Sequence, residues 1–225
     1  MASHDLQEPL RKINTYTDRI INKAEALPTG VGNYLEKIEN SSKRMVTLID
    51  DLLNFSRTSR SDNKFFQTDL NLLLKEVMDD FELVIAQKQA VVHIQALPVI
   101  RAIPLQMIQL FHNLLSNALK FSGPGVPVIE VLCRPYSFTN NEIEIDSSLE
   151  YHEIIFKDNG IGFSQEYAKQ IFVIFQRLNN NSQNFPGTGI GLALCRKIVI
   201  NHGGEIFAVS KQNEGSAFHI LLPVK

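Results

Sequence analysis

Three short stretches in the second half of this 225-residue chain carry side chains suited to phosphate and a hard cation. In NLLSNALKF at 113–121, Asn113, Asn117, Lys120 and Phe121 stand at i, i+4, i+7 and i+8, which on a helix is one face. An amide oxygen suits a magnesium ion that keeps several waters and shares phosphate oxygens, and the lysine ammonium offers compact charge to the same phosphates. In DNGIGF at 158–163 a strand-like run ends in the carboxylate of Asp158, an acceptor, followed by Gly160 and Gly162, whose backbones permit close approach. In GTGIGL at 187–192, Gly187, Gly189 and Gly191 precede a helical pattern, so flexible backbone and a helix N-terminus meet where phosphate oxygens fit. No Gly-Lys-Ser/Thr follows, which rejects a Walker loop, and the third glycine comes too early for a dinucleotide fingerprint.

The elements that must position these groups follow from hydrophobic period. Leu6, Leu10, Ile13, Ile20, Ile21, Ala24 and Leu27 paint one face of a helix from Asp5 to about Leu27. Pro28, Gly30 and Gly32 break it, and a second stripe from Leu35 to Phe55 completes a helical hairpin. Two helices cannot surround such stripes, so the hairpin is expected to meet a second copy in a four-helix bundle. The polar stretch SRTSRSDN at 56–63 reads as a linker, with a boundary near residue 62. Beyond it the pattern predicts helices over 70–86, 104–121 and 192–202, and strands over 90–96, 128–134, 152–158, 205–210 and 217–223. Residues 135–150 read as a long hairpin connection.

In this order the three boxes resemble the Bergerat-type ATP-binding domain of sensor histidine kinases, and SHDLQEPL at 3–10 is similar to that family's phosphoacceptor box. The resemblance implies an α+β protein: an N-terminal antiparallel hairpin, residues 1–62, for dimerisation and phosphotransfer, then an α/β sandwich ATP-binding domain, residues 63–225. It implies ATP and Mg2+ as cofactors, with Asn117 on the metal, Asn113 and Lys120 near the phosphates, and Phe121 near the adenine. Asp158 would receive the exocyclic amino group of adenine, and Gly160, Gly162, Gly187, Thr188, Gly189, Gly191 and Leu192 would line the nucleotide. IFVIFQRL at 171–178 resembles the family's phenylalanine box, with Arg177 as a phosphate contact, and NNNSQNFP at 179–186 has the composition of a mobile lid. His4 would attack the γ-phosphorus while Asp5 orients its ring, and the phosphoryl group would pass to an aspartate of a response regulator.

Two departures shape this expectation. Related ATPases carry a water-activating glutamate four residues before the metal asparagine. Here that position is Asn113, which cannot act as a base, so transfer is favoured over hydrolysis. Glu8 stands where many bifunctional relatives have threonine or asparagine, which disfavours phosphatase activity. The alternative reading is a catalytically silent, ATP-binding dimeric scaffold.

Composition narrows the field further. With 44% hydrophobic and 20% charged residues the chain is ordinarily globular. A net charge of −2 gives no basic surplus for nucleic acid or an anionic membrane. Cys133 and Cys195 lack metal-ligand spacing and fit a reduced, cytoplasmic setting. No apolar run reaches the length of a spanning helix, and the opening residues look like a cut end, so an upstream segment is expected. His93, His112, His152, His202 and His219 match no catalytic slot and are assigned surface or packing roles.

Overall fold

A computed structural model describes residues 10–18, 20, 31–57, 64–137, 145–178 and 188–224. Residues 10–18 and 20 lie in helix α1. Helix α2 runs Val31–Arg57, so Gly32 falls inside its first turn rather than in the expected break. The Ser42 hydroxyl donates to the Leu10 carbonyl at 2.9 Å, and Ile13 shares a cleft with Tyr34, Ile38 and Met45. The two helices are thus antiparallel neighbours. The sequence boundary near 62 falls outside the described residues.

The second part is built in two layers. Strands β2 (Val91–Ile94), β4 (Val128–Pro135), β5 (Tyr151–Asp158), β7 (Gly215–Pro223) and β6 (Glu205–Lys211) form a sheet in the order β2-β4-β5-β7-β6. β2 pairs parallel with β4, and every other pairing is antiparallel. One face is covered by α3 (Leu70–Asp80), α5 (Pro104–Lys120) and α6 (Gly191–Asn201). Alternation explains the layering: Ile129, Val131, Ile154, Phe156, Ile206, Ala208, Phe218, Ile220 and Leu222 all enter this core. From α5 come Met107, Leu110, Phe111, Leu114, Leu115, Ala118 and Leu119, the residues between its polar positions. Each buried leucine contributes roughly 1.5–3 kcal/mol, so this core is what fixes the outward face of α5.

Local signals set the ends. Asp69 caps α3 by accepting the Asn71 N–H at 2.9 Å, and Pro104 begins α5 where its missing N–H costs nothing. The helix expected over 70–86 is broken at Phe81, which leaves helical torsions and sets its ring 4.8 Å from that of His112; α4 (Glu82–Lys88) follows. Strands β1 (Phe66–Asp69) and β3 (Val99–Ala102), which the sequence reading did not include, pair antiparallel as a separate ribbon. Just before β1, the Phe65 ring meets His202 at 5.1 Å. His202 is buried and neutral in role: Nε2 accepts the Ile103 N–H at 3.0 Å, so Nδ1 carries the proton toward the Ile198 carbonyl at 2.7 Å. Burial holds its pKa below the ordinary value.

Candidate nucleotide site

The site forms where the end of α5, the turn after β5 and the turn before α6 converge. On α5, Asn113, Asn117 and Lys120 are half-buried along one face, as their spacing requires. Asn113 is oriented by donating its amide to the Gln109 carbonyl at 2.8 Å. A Cβ on Gly191 would meet the Asn113 Oδ1 at 2.8 Å, so the glycine turn lies directly on this helix. Phe121 terminates α5, and the Lys120 ammonium sits 4.6 Å from its ring centroid. Burial, with the charge of Arg177 adding, pushes the Lys120 pKa below its ordinary value. Lys120 and Arg177 therefore share one electropositive corner, which an anion would relieve.

Asp158 closes β5 with 9% exposure. Burial raises its pKa to about 6, against the backbone N–H groups of Gly160 and Ser216 that favour the charged form. The Gly160 N–H reaches Oδ1 at 2.8 Å. Gly160 is also pressed against the Phe121 carbonyl, which accepts the Ile161 N–H at 2.9 Å, so the aspartate and the end of α5 form a single wall. Gly162, at φ +55, lies against the Lys211 and Gly215 carbonyls. Its lack of a side chain serves the fold of the β6–β7 turn as well as any ligand.

In the glycine turn, Gly189 has φ +75, and its carbonyl accepts the Phe175 N–H at 3.0 Å. Phe175 itself sits at φ +65 and is exposed, whereas Phe172 is core. The N-cap of α6, Ile190, makes no side-chain cap bond, so this helix end keeps donors available for an anion. Leu192 packs half-buried against the core beside it. Thr188 donates to the Asp51 carboxylate of α2 at 2.5 Å. Asp51, Asn159 and the Gly215–Ser216 pair were not singled out from sequence; of these only Gly215, the first residue of β7, carries a local signal. His4, Asp5, Glu8, Gly187 and the 179–186 stretch lie outside the described residues. Among the described residues no group of three or more His, Cys, Asp or Glu is placed to hold a metal. A lone amide such as Asn117 fits a magnesium ion that takes most of its ligands from phosphate and water.

An ATP-binding sandwich of this topology joined to a helical hairpin is the architecture of a sensor histidine kinase core. The chain belongs to the Histidine kinase-, DNA gyrase B-, and HSP90-like ATPase family, which it matches over residues 102–225, and residues 1–60 match the His Kinase A (phospho-acceptor) domain. It is similar to the phytochrome-like protein Cph1 of Synechocystis sp., at 31% identity over all of this chain and 28% of that protein. It is similar also to the sensor histidine kinase WalK of Bacillus subtilis, at 29% identity over all of this chain and 36% of that protein. The chain thus spans about a third of the length of these relatives or less. Among solved structures it resembles full-length ShkA in complex with AMPPNP, with TM-score 0.68 and 20% identity over 99% of this chain and 44% of that one. It resembles ThkA in complex with the response regulator TrrA, with TM-score 0.65 and 21% identity over 100% of this chain and 60% of that one. Among the described residues no helix is long and apolar enough to cross a membrane.

Proposed function

We propose that this chain is an ATP-dependent protein-histidine kinase core that phosphorylates His4 and passes the phosphoryl group to an aspartate of a response regulator. The observation that carries the reading is the meeting of the glycine turn with the hairpin through Thr188 and Asp51. This contact supports the reading because it brings the glycine turn to α2, the second helix of the hairpin to which His4 belongs in sequence. Asp158 selects adenine through its amino group, Phe121 flanks the base, and Asn113, Lys120, Arg177 and the turn from Gly187 to Leu192 hold the phosphates. Asn117 would hold Mg2+, which when bound neutralises phosphate charge. An imidazole nitrogen of His4 forms the bond to the γ-phosphorus as the bond to the β-phosphate oxygen breaks, and ADP leaves; Asp5 holds the ring by its other nitrogen.

The hairpin supports a homodimer, because Ile13, Tyr16, Ile20, Tyr34, Ile38, Met45 and Leu52 are exposed. The regulator as recipient is supported by the kinship with ThkA, solved with its regulator TrrA. The test is incubation with γ-labelled ATP. The parent chain should take up acid-labile, base-stable label and His4→Ala should take up none. Equal labelling of both, or ATP binding without label in the parent, would overturn the proposal.

A further inference from the structure

Asn159 lies in the middle of the Asp-Asn-Gly turn, and its side chain is committed to one neighbour on both of its polar atoms. Its Oδ1 accepts the Val128 N–H at 2.8 Å and its Nδ2 donates to the Val126 carbonyl at 3.0 Å, while its backbone N–H donates to the Val128 carbonyl at 3.2 Å. These bonds begin where the β4–β5 ladder ends, since Ile129 opposite Asp158 is the last paired position. The amide of Asn159 therefore extends the ladder after the backbone has turned away to pass beneath the Phe121 carbonyl. The segment it grips continues back through Gly125, Pro124 and Gly123 to the end of α5. That segment, Asn159–Ile161 and Asn213 enclose a cavity of 110 Å³ next to the aspartate wall.

We infer that Asn159 is a positioning residue for base recognition: it clamps the chain after α5 to the Asp158 turn, so that Phe121 and the Asp158 carboxylate keep a fixed separation. The inference rests on the reading of Asp158 as the acceptor of the adenine amino group. The two sides of the base site are the end of α5 and the turn after β5; the elements meet in the core, where the Phe111 and Phe156 rings lie 5.6 Å apart, but beyond that core their ends are joined through this turn. The Ile161–Phe121 bond fixes their distance along one line; the Asn159 side-chain bonds hold the segment that leaves Phe121 at two more points, Val126 and Val128. Asn159 is itself exposed, so its removal strands no buried polar group and the domain should persist.

The experiment compares ATP and GTP binding and autophosphorylation by the full chain carrying Asn159→Ala, Asn159→Asp or Asp158→Asn. Asn159→Ala should weaken ATP about tenfold, the equivalent of one or two hydrogen bonds. GTP should be nearly unaffected, so that the ATP:GTP ratio narrows, KM for ATP rises and kcat holds. Asn159→Asp keeps the acceptor for Val128 and loses the donor to Val126; it should fall between, and it replaces the alanine variant should that one not fold. An unchanged ATP:GTP ratio in both Asn159 variants, whatever their melting temperatures, overturns the positioning role. If Asp158→Asn narrows the ratio while the Asn159 variants do not, only that role falls. An Asp158→Asn variant with the parental ratio removes the base-acceptor reading and the role of Asn159 with it.

Discussion

The Thr188 hydroxyl lies 2.5 Å from the Asp51 carboxylate, a bond between residues 137 apart in sequence and on opposite sides of the linker. It sets a negative charge of the hairpin against the turn that phosphates are expected to occupy. A carboxylate there opposes a triphosphate, so nucleotide and hairpin compete for Thr188. Asp51→Ala should tighten ATP binding by about three- to tenfold, corresponding to roughly 1 kcal/mol for a partly exposed contact. Calorimetric titration of both proteins measures it, and weaker binding by the variant would mean that Asp51 assists the nucleotide.

Asp158 makes a pH dependence. Its carboxyl titrates near 6 in the folded chain against an ordinary 3.8, because burial penalises the anion more than its two backbone donors repay. For an acid whose folded pKa is raised, the folded state holds its proton longer. The Asp158 contribution to stability is thus greatest below the ordinary range and declines by up to ~3 kcal/mol as pH rises from about 4 through about 6, opposite in sign to those of Asp69, Glu130 and Glu153, whose pKa values are lowered. Asp158→Asn should flatten that decline in chemical denaturation. If the adenine amino group prefers the ionised carboxylate, adenosine, which has no titrating phosphate, should bind the parent more weakly at pH 5 than at pH 7, and Asp158→Asn should abolish the difference.

Asn117→Ala should remove magnesium-dependent labelling by at least about a hundredfold while leaving the melting temperature near the parental one. The position is half-buried on α5 and alanine is the better helix former. Circular dichroism and a labelling assay separate the two effects; near-parental labelling would release Asn117 from the metal.

Leu52 is 46% exposed on α2, which is unusual for leucine in a helix meant to be finished by its own hairpin. Leu52→Glu should shift the chain toward monomer by placing charge in the expected bundle. Sedimentation at several concentrations gives the dissociation constant; an unchanged one moves the dimer contact elsewhere.

The parts of this site that could be read from sequence are those ordered by local period. Asn113, Asn117 and Lys120 share a face because α5 is a helix, and the leucines between them already declare which side is core. The strands from β4 onward announce themselves as short apolar runs between polar turns, although β5 and β7 bury consecutive rather than alternate residues. What escaped was set by distant partners. β1 and β3 are four residues each and exist through their mutual pairing, the break at Phe81 goes with its ring lying on His112, and Thr188 finds Asp51 only after both domains are folded. Nothing local marks Asn159, because the carbonyl that accepts its amide, Val126, belongs to a segment 33 residues earlier.

Helix α6 is held at both ends by chain that comes from the hairpin side. Asp51 engages the turn at its N-terminus, and Phe65, the residue before β1, rests on His202 at its C-terminus. Its 11 residues make a stiff rod of about 16 Å between those two points. This rod is touched from α2 at one end and by the segment leading into β1 at the other, while Leu194, Cys195, Ile198 and Val199 sink its apolar side into the core. A displacement of α2 would therefore be felt first at Thr188, which must follow Asp51 or release it.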